Sequence, residues 1–162
     1  MKILGIDPGY ERMGVAIIER NEGRESVVFS TCIRTSAKLS LPERLVTIGR
    51  ELESIIVQYL PDQAAIEALY FAKNTTTALK VAEARGVIQF VITSNSIPLF
   101  EYHPNIIKIA VTGYGNADKS AIASMIPKLV TYDAAKKIDD ELDAIAVALT
   151  HSAHSRNNYP QV

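Results

Sequence analysis

The sequence has little cysteine, little histidine and no long apolar segment, and each shortage excludes a class of protein. Its single cysteine, Cys32, cannot form an intramolecular disulfide, so nothing indicates secretion. So few cysteine and histidine residues do not supply the ligand cluster of a zinc site. Uninterrupted apolar runs such as residues 144–149 are far too short to span a bilayer. The N-terminus reaches Asp7 without the apolar core of a signal peptide, and we expect a soluble, cytoplasmic protein without membrane association.

The chain also has almost no net charge, which argues at first against a nucleic-acid partner because phosphate neutralisation supplies much of that affinity. The charges are segregated, however. Residues 72–137 contain eight Lys or Arg against four Asp or Glu, a local balance of +4 that leaves −5 for the remainder. Much of the negative part lies in carboxylate clusters, where divalent cations would neutralise some of it. Charge alone is equally compatible with an ordinary solvated surface.

The order of apolar patterns predicts one α/β domain over residues 1–162, without repeats or linkers. Three strands come first, at residues 2–7, 14–20 and 26–34, with an Asp7-Pro8-Gly9 turn after the first. Ser40 and Glu43 form a capping box that begins a helix. One apolar stripe follows it, at Leu41, Leu45, Ile48, Leu52, Ile55 and Tyr59. The remaining predicted elements are a strand at 64–69, a helix at about 75–92, strands near 99–102 and 106–111, and helices at about 119–130 and 140–151.

A meander followed by strand–helix alternation indicates a mixed sheet with helices on its faces. With residues 99–111 taken together, the order is three strands, helix, strand, helix, strand, helix, helix. The ribonuclease-H-like fold has this order, a mixed five-stranded sheet flanked by helices, although other α/β folds share it.

The last predicted helix begins with an excess of acid. Asp140 and Asp143 are three residues apart and therefore lie on one helix face. Acidic residues also stabilise a helix N-terminus, and the pair could simply form a capping-box-like start. Four acids within five positions nevertheless repel one another more than a cap requires, and a bound cation would relieve that repulsion.

Two further acids stand at the ends of predicted strands. Asp7 alone is ambiguous, because Asp-Pro-Gly is a common turn sequence. Glu67 interrupts an otherwise buried strand, and a buried carboxylate needs a partner or a metal. Carboxylate ligands suit Mg²⁺ or Mn²⁺. Two such ions can activate water and stabilise the leaving oxygen of a phosphodiester, which predicts hydrolysis without a covalent enzyme intermediate.

The chain resembles the RuvC family of Holliday-junction resolvases in four segments. They are residues 3–9 (Ile-Leu-Gly-Ile-Asp-Pro-Gly), Glu67 with residues 71–74 (Phe-Ala-Lys-Asn), residues 82–86 (Ala-Glu-Ala-Arg-Gly), and the helix that carries Asp140 and Asp143. The match runs in order from residue 1 to about residue 152 and is specific as a set. It implies a ribonuclease-H-like endonuclease that makes paired symmetrical nicks in four-way junction DNA during homologous recombination and repair.

The same resemblance implies particular partners and residue roles. It implies a homodimer, two Mg²⁺ ions per active site with Mn²⁺ able to substitute, and the RuvA–RuvB branch-migration complex as cellular partner. The family's catalytic, metal-binding acids fall on Asp7, Glu67, Asp140 and Asp143. Lys108 and Lys119 fall on basic positions for DNA contact, Lys119 also acting in catalysis at a helix N-terminus that attracts phosphate. Tyr70, as a base-stacking residue, and Lys73 complete the expected DNA contacts.

The predicted helix at 75–92 gives the dimer some support of its own. Its polar positions, Lys80, Glu83, Arg85 and Gln89, do not gather on one face. Such a helix is expected to be buried against more than its own sheet. We therefore predict that part of this surface contacts a twofold-related copy.

Three other interpretations remain open at this stage. Residues 113–120 nearly match the P-loop pattern and lie between a predicted strand and a predicted helix, but Asp118 stands where glycine is needed. A related ribonuclease-H-like nuclease acting on structured RNA would use the same carboxylate chemistry. A non-catalytic binding module is the third possibility, if the acids only cap and solvate.

Overall fold

The computed structural model describes residues 1–21, 24–69, 75–131 and 139–156. Within them five strands and five helices follow one another along the chain. They are β1 (Lys2–Asp7), β2 (Arg12–Asn21), β3 (Arg24–Arg34), α1 (Leu41–Tyr59), β4 (Gln63–Glu67), α2 (Thr75–Ser94), β5 (Leu99–Tyr102), α3 (Pro104–Thr112), α4 (Lys119–Leu129) and α5 (Asp139–Arg156).

The strands form one mixed sheet in the order β3-β2-β1-β4-β5. The first three strands are an antiparallel meander, whereas β1, β4 and β5 run parallel to one another. The predicted mixed five-stranded sheet is therefore confirmed. Because β1 and β4 are parallel neighbours with Ile6 opposite Ile66, the residues that end them, Asp7 and Glu67, emerge at the same edge.

Two apolar cores lie on opposite faces of this sheet. One core includes Leu4, Ile6 and Ile66 and packs against α1 and α2. The other includes Ile3 and Ala65 and packs against α3, α4 and α5. Alternate residues of each strand face opposite sides of the sheet. A strand that is buried on both faces therefore has a continuous run of apolar residues in its sequence.

The capping box predicted for α1 is present, since the Ser40 backbone N–H donates to the Glu43 carboxylate over 2.8 Å. The strand predicted at residues 106–111 is wrong, because this segment lies inside α3. The His103 ring accepts from the Asn105 backbone N–H, Pro104 occupies the first turn, and Gly113 ends the helix with φ 78°. The near-P-loop segment therefore lies between two helices rather than after a strand.

Helix α5 lies unusually close to the sheet at its acidic end. A Cβ atom on Gly5 would come within 2.2 Å of the Ala144 carbonyl oxygen, and one on Gly14 within 1.9 Å of the Asp140 carbonyl oxygen. The absence of side chains at both glycines lets the first turns of α5 rest directly on β1 and β2. Within the described part of the chain, no helix combines the length and the apolar character needed to cross a membrane.

Candidate active site

A cavity of about 300 Å³ opens where the ends of β1 and β4 meet α5. Three of the four predicted acids line it: Asp7, Glu67 and Asp143. The two strand acids arrive there because parallel neighbours end at one edge. Asp143 arrives because the glycine-rich contact seats the start of α5 on the same strands. Residues far apart in sequence thus supply one concave cluster of carboxylates.

Asp7 and Glu67 hold their protons more tightly than exposed acids do, because the pKa of each is raised. Burial is the largest cause that raises the pKa of Asp7 to about 8, followed by the negative charges of Glu67 and Asp143. Burial also raises the pKa of Glu67, again with Asp143 as the next cause. Like charges held together in a partly buried space shift pKa values in this direction. A divalent cation bound among them would remove the repulsion that causes much of the shift.

Two lysines complete the cavity wall. Lys119, the first residue of α4, donates to the Asp143 carboxylate over 2.8 Å, and this hydrogen bond raises the pKa of Lys119. Lys108 projects from the middle of α3 and lines the same cavity. Their positive charges lower the pKa of Glu67. The lysines predicted to meet DNA therefore lie beside the predicted acids.

Asp140 is the exception among the predicted acids, because it does not line the cavity. Its carboxylate accepts from the guanidinium of Arg12, and the Cys32 thiol lies 3.6 Å from the same oxygen. Asp140 is nevertheless near enough for its charge to raise the pKa of Asp7. Its side chain is turned towards β2 and β3 rather than towards the other acids.

Arg12 lies beside this site but is not among the residues predicted from the sequence. A signal was available: the Asp7-Pro8-Gly9 turn reverses the chain, so the first residue of β2 must return to the sheet edge where Asp7 ends β1. Arg85 is a second omission, since its guanidinium donates to the backbone carbonyl of Glu67. The predicted DNA contacts Tyr70 and Lys73 lie outside the described residues.

The donor set fits a hard divalent cation. Carboxylate oxygens dominate the cavity, and oxygen ligands are those that Mg²⁺ and Mn²⁺ prefer. Among the described residues, no three acidic, histidine or cysteine side chains are yet close enough together to enclose an ion. Two of the acids are instead engaged by cationic side chains, Asp140 by Arg12 and Asp143 by Lys119. Asp143 lines the cavity while paired with Lys119, so Asp140 is the one predicted acid that would have to turn from its partner to join the other three.

A mixed sheet flanked by helices, with acids at the ends of its two central strands and on the last helix, defines a ribonuclease-H-like nuclease. Comparison with known proteins narrows the class. The family model of the crossover junction endodeoxyribonuclease RuvC matches residues 3–151. The chain belongs to that family.

Individual relatives and solved structures agree with this assignment. The crossover junction endodeoxyribonuclease RuvC of Thermotoga petrophila is 41% identical over 156 residues, covering 96% of this chain and 94% of the relative. That of Desulfitobacterium hafniense is 43% identical over 157 residues, covering 97% and 94%. Among solved structures, T. thermophilus RuvC in complex with a Holliday junction substrate superposes with a TM-score of 0.90 at 26% identity, covering 97% and 96%. The yeast mitochondrial Holliday junction resolvase, at 15% identity and a TM-score of 0.64, shares the fold.

Proposed function

We propose that this chain cuts four-way DNA junctions by hydrolysing phosphodiester bonds, with paired symmetrical nicks in opposing strands. The observation that carries the proposal is the convergence of Asp7, Glu67 and Asp143 on one cavity walled by Lys108 and Lys119. Family membership supports it, as does the junction bound to the similar T. thermophilus protein. The pairing of acids with lysines is what a phosphodiester nuclease needs, since one set binds cations and the other binds phosphate.

The proposed cofactor is Mg²⁺, two ions per site, with Mn²⁺ as a substitute. Asp7, Glu67, Asp140 and Asp143 are the proposed ligands, drawn from two strands and one helix. When bound, such ions supply Lewis-acid activation of water and of the scissile phosphate. The protein's own part is to bring Asp7, Glu67 and Asp143 to one cavity, whose wall also includes the apolar side chains of Ile107 and Ile122.

The lysines act on the substrate side of the same cavity. The side chain of Lys119 is 74% exposed, so its ammonium can leave Asp143 and meet a phosphate oxygen. Its place as the first residue of α4 adds the favourable field of a helix N-terminus. Lys108 provides a second positive charge in the wall of the same cavity. Tyr70 and Lys73, which follow Glu67 in the sequence, are proposed as further DNA contacts.

The working unit is proposed to be a homodimer, since two symmetrical nicks call for two sites related by a twofold axis. On α2, the side chains of Leu79 and Phe90 are exposed by 62% and 70%. Eleven residues correspond to about three helical turns, so these two side chains share one helix face. We place the twofold contact there. Leu79→Asp combined with Phe90→Asp should convert a dimer to a monomer in sedimentation equilibrium at micromolar concentration, and a parent protein that sediments as a monomer would contradict the proposal.

The cellular setting follows from the substrate. A junction nuclease would act in the cytoplasm, together with the chromosomal DNA, after branch migration has moved the junction. The RuvA–RuvB complex is therefore the proposed partner. Co-sedimentation of this chain with RuvA and RuvB on a four-way junction, compared with the junction alone, tests the association.

The decisive experiment maps nicks on an end-labelled four-way junction with and without Mg²⁺. The parent protein should make symmetrical nicks only with Mg²⁺. Asp7→Asn and Asp140→Asn should keep the fold and junction binding but lose cleavage, because asparagine has nearly the same size as aspartate yet is a poor anionic ligand. At Asp140, in the first turn of α5, asparagine also suits a helix start about as well as aspartate. Asp139→Asn is the matched control, an exposed acid on the same helix that should retain activity. Retained cutting by both Asp7→Asn and Asp140→Asn would refute the mechanism. If the parent protein cuts structured RNA in preference to a competing four-way DNA junction, the proposed substrate is wrong and RNA takes its place.

A further inference from the structure

The contact between Arg12 and Asp140 ties the first residue of β2 to the first turn of α5. The Asp140 side chain is only 20% exposed, whereas that of Arg12 is 50% exposed. The carboxylate therefore has a restricted position, while the guanidinium has open solvent on one side. Because Arg12 is the more exposed partner, it can leave without disturbing the packing of the helix beneath it.

This contact is one of several that engage the acids at the start of α5. Glu141 accepts from the Ser30 hydroxyl over 2.6 Å, and Asp143 accepts from Lys119 over 2.8 Å. Among the four proposed ligands, Asp140 is the one held outside the cavity by its partner, since Asp7, Glu67 and Asp143 line it. Its proposed fellow ligands Asp7 and Glu67 end β1 and β4 and already line the cavity. For Asp140 to bind an ion in the cavity, its carboxylate must therefore first be released from Arg12.

The sheet itself favours the pairing of Arg12 with the helix. In the β2–β3 register, Arg12 stands directly opposite Arg34. Like charges placed opposite one another across two strands repel. Turning towards Asp140 relieves that repulsion for Arg12 and neutralises one charge of the acidic helix start. Both effects stabilise the arrangement in which Asp140 is held outside the cavity.

We propose that Arg12 is a positioning residue that competes with a divalent cation for Asp140 and so sets the metal affinity of the active site. In the metal-free protein the guanidinium holds the carboxylate towards β2. Cation binding requires Asp140 to exchange Arg12 for the ion, and the released guanidinium then lies at the rim of the site. The inference rests on the proposed assignment of Asp140 as a metal ligand.

Isothermal titration of the full-length protein with Mn²⁺ tests the competition. Arg12→Ala should bind Mn²⁺ about fivefold more tightly than the parent, the upper range for a partly exposed ion pair. Arg12→Lys, which keeps a cation at this position, should restore most of the parent affinity. Arg34→Ala is the matched control: it removes an equal charge from the facing position of the same sheet edge, and within the described residues Arg34 forms no ion pair.

The outcomes separate this inference from the proposed function. If Arg12→Ala binds Mn²⁺ as the parent does, or more weakly, Arg12 does not compete for Asp140 and the inference is overturned. If Arg34→Ala tightens binding equally, the effect is one of net charge and the inference is again overturned. Asp140→Asn tests the ligand assignment itself: unchanged Mn²⁺ affinity in that variant would refute the assignment.

A second measurement guards against a change in folding. Thermal unfolding in EDTA should show Arg12→Ala with a lower midpoint than the parent, because the ion pair belongs to the metal-free state. In saturating Mn²⁺ the two midpoints should converge, because the contact is then broken in both proteins. A deficit of the same size with and without Mn²⁺ would indicate a structural role only and would overturn the inference.

Discussion

Replacing Asp7 by asparagine should make the metal-free protein more stable, although the same change removes a proposed ligand. Burial and the charges of Glu67 and Asp143 raise the pKa of Asp7 from 3.8 to about 8. The folded state therefore holds this proton more tightly than the unfolded state does, and stability is lost as the pH rises from about 4 through 8. The asparagine of Asp7→Asn does not ionise, so this variant should not lose that part of its folding stability as the pH rises.

The magnitude follows from the shift. Each unit between the two pKa values corresponds to about 1.4 kcal/mol, so the shift sets an upper limit of about 5 kcal/mol at pH 8. The charge of Lys119 opposes the shift, and the carboxylates can turn apart when ionised. We therefore expect Asp7→Asn to exceed the parent by about 2 kcal/mol near pH 7.5 and to match it near pH 4. In a protein of this size that corresponds to a rise of about 4–8 °C in Tm.

Urea and thermal unfolding in EDTA, at several pH values from about 4 to 8, measure this difference. Asp139→Asn, an exposed acid on α5, is the control and should follow the parent at every pH. Adding Mn²⁺ should reverse the order, since the parent gains stability from the ion and Asp7→Asn gains little. The reasoning fails if Asp7→Asn is less stable than the parent near pH 7.5 in EDTA, or if its advantage is as large near pH 4.

Other changes probe neighbouring features. Glu67→Gln should bind a four-way junction normally in a gel-shift assay, but its cleavage rate should fall by about a hundredfold or more. A cleavage rate within tenfold of the parent would exclude Glu67 as a ligand. Gly14→Ala should cost about 2–3 kcal/mol in urea unfolding, because its Cβ would lie 1.9 Å from the Asp140 carbonyl oxygen; an unchanged midpoint would contradict that close packing. Tyr102→Phe removes the buried hydroxyl that lies 2.8 Å from His151 Nδ1 and should cost about 1–2 kcal/mol, so a variant as stable as the parent would show the bond to be dispensable.

Much of the fold was predictable because its signals are local. The apolar stripe and capping box of α1 are properties of neighbouring residues, and the resulting helix, Leu41–Tyr59, follows them closely. Helix α3 was missed because a short run of β-branched residues suits either a strand or a buried helix. What decided the outcome was the cap at His103 and the packing of Ile107 and Val111 in the second core.

The site was predictable to the extent that it depends on strand ends. Glu67 stood out as a charge in an apolar strand, and the structure brings it to Asp7. The expectation that Asp140 and Asp143 face the same way was too simple. Residues three apart on a helix point about 60° from one another, and tertiary partners turn the two side chains in different directions. The contact of Arg12 with Asp140 joins positions 128 residues apart and leaves no local pattern in the sequence.

The parallel pairing of β1 with β4, which carries Asp7 and Glu67 to one edge, has a consequence for biosynthesis. The third cavity acid, Asp143, belongs to the last helix, so the cutting centre draws on nearly the whole length of the chain. A growing polypeptide that has not yet reached Asp143 therefore lacks the third acid of the cavity and the helix that carries it.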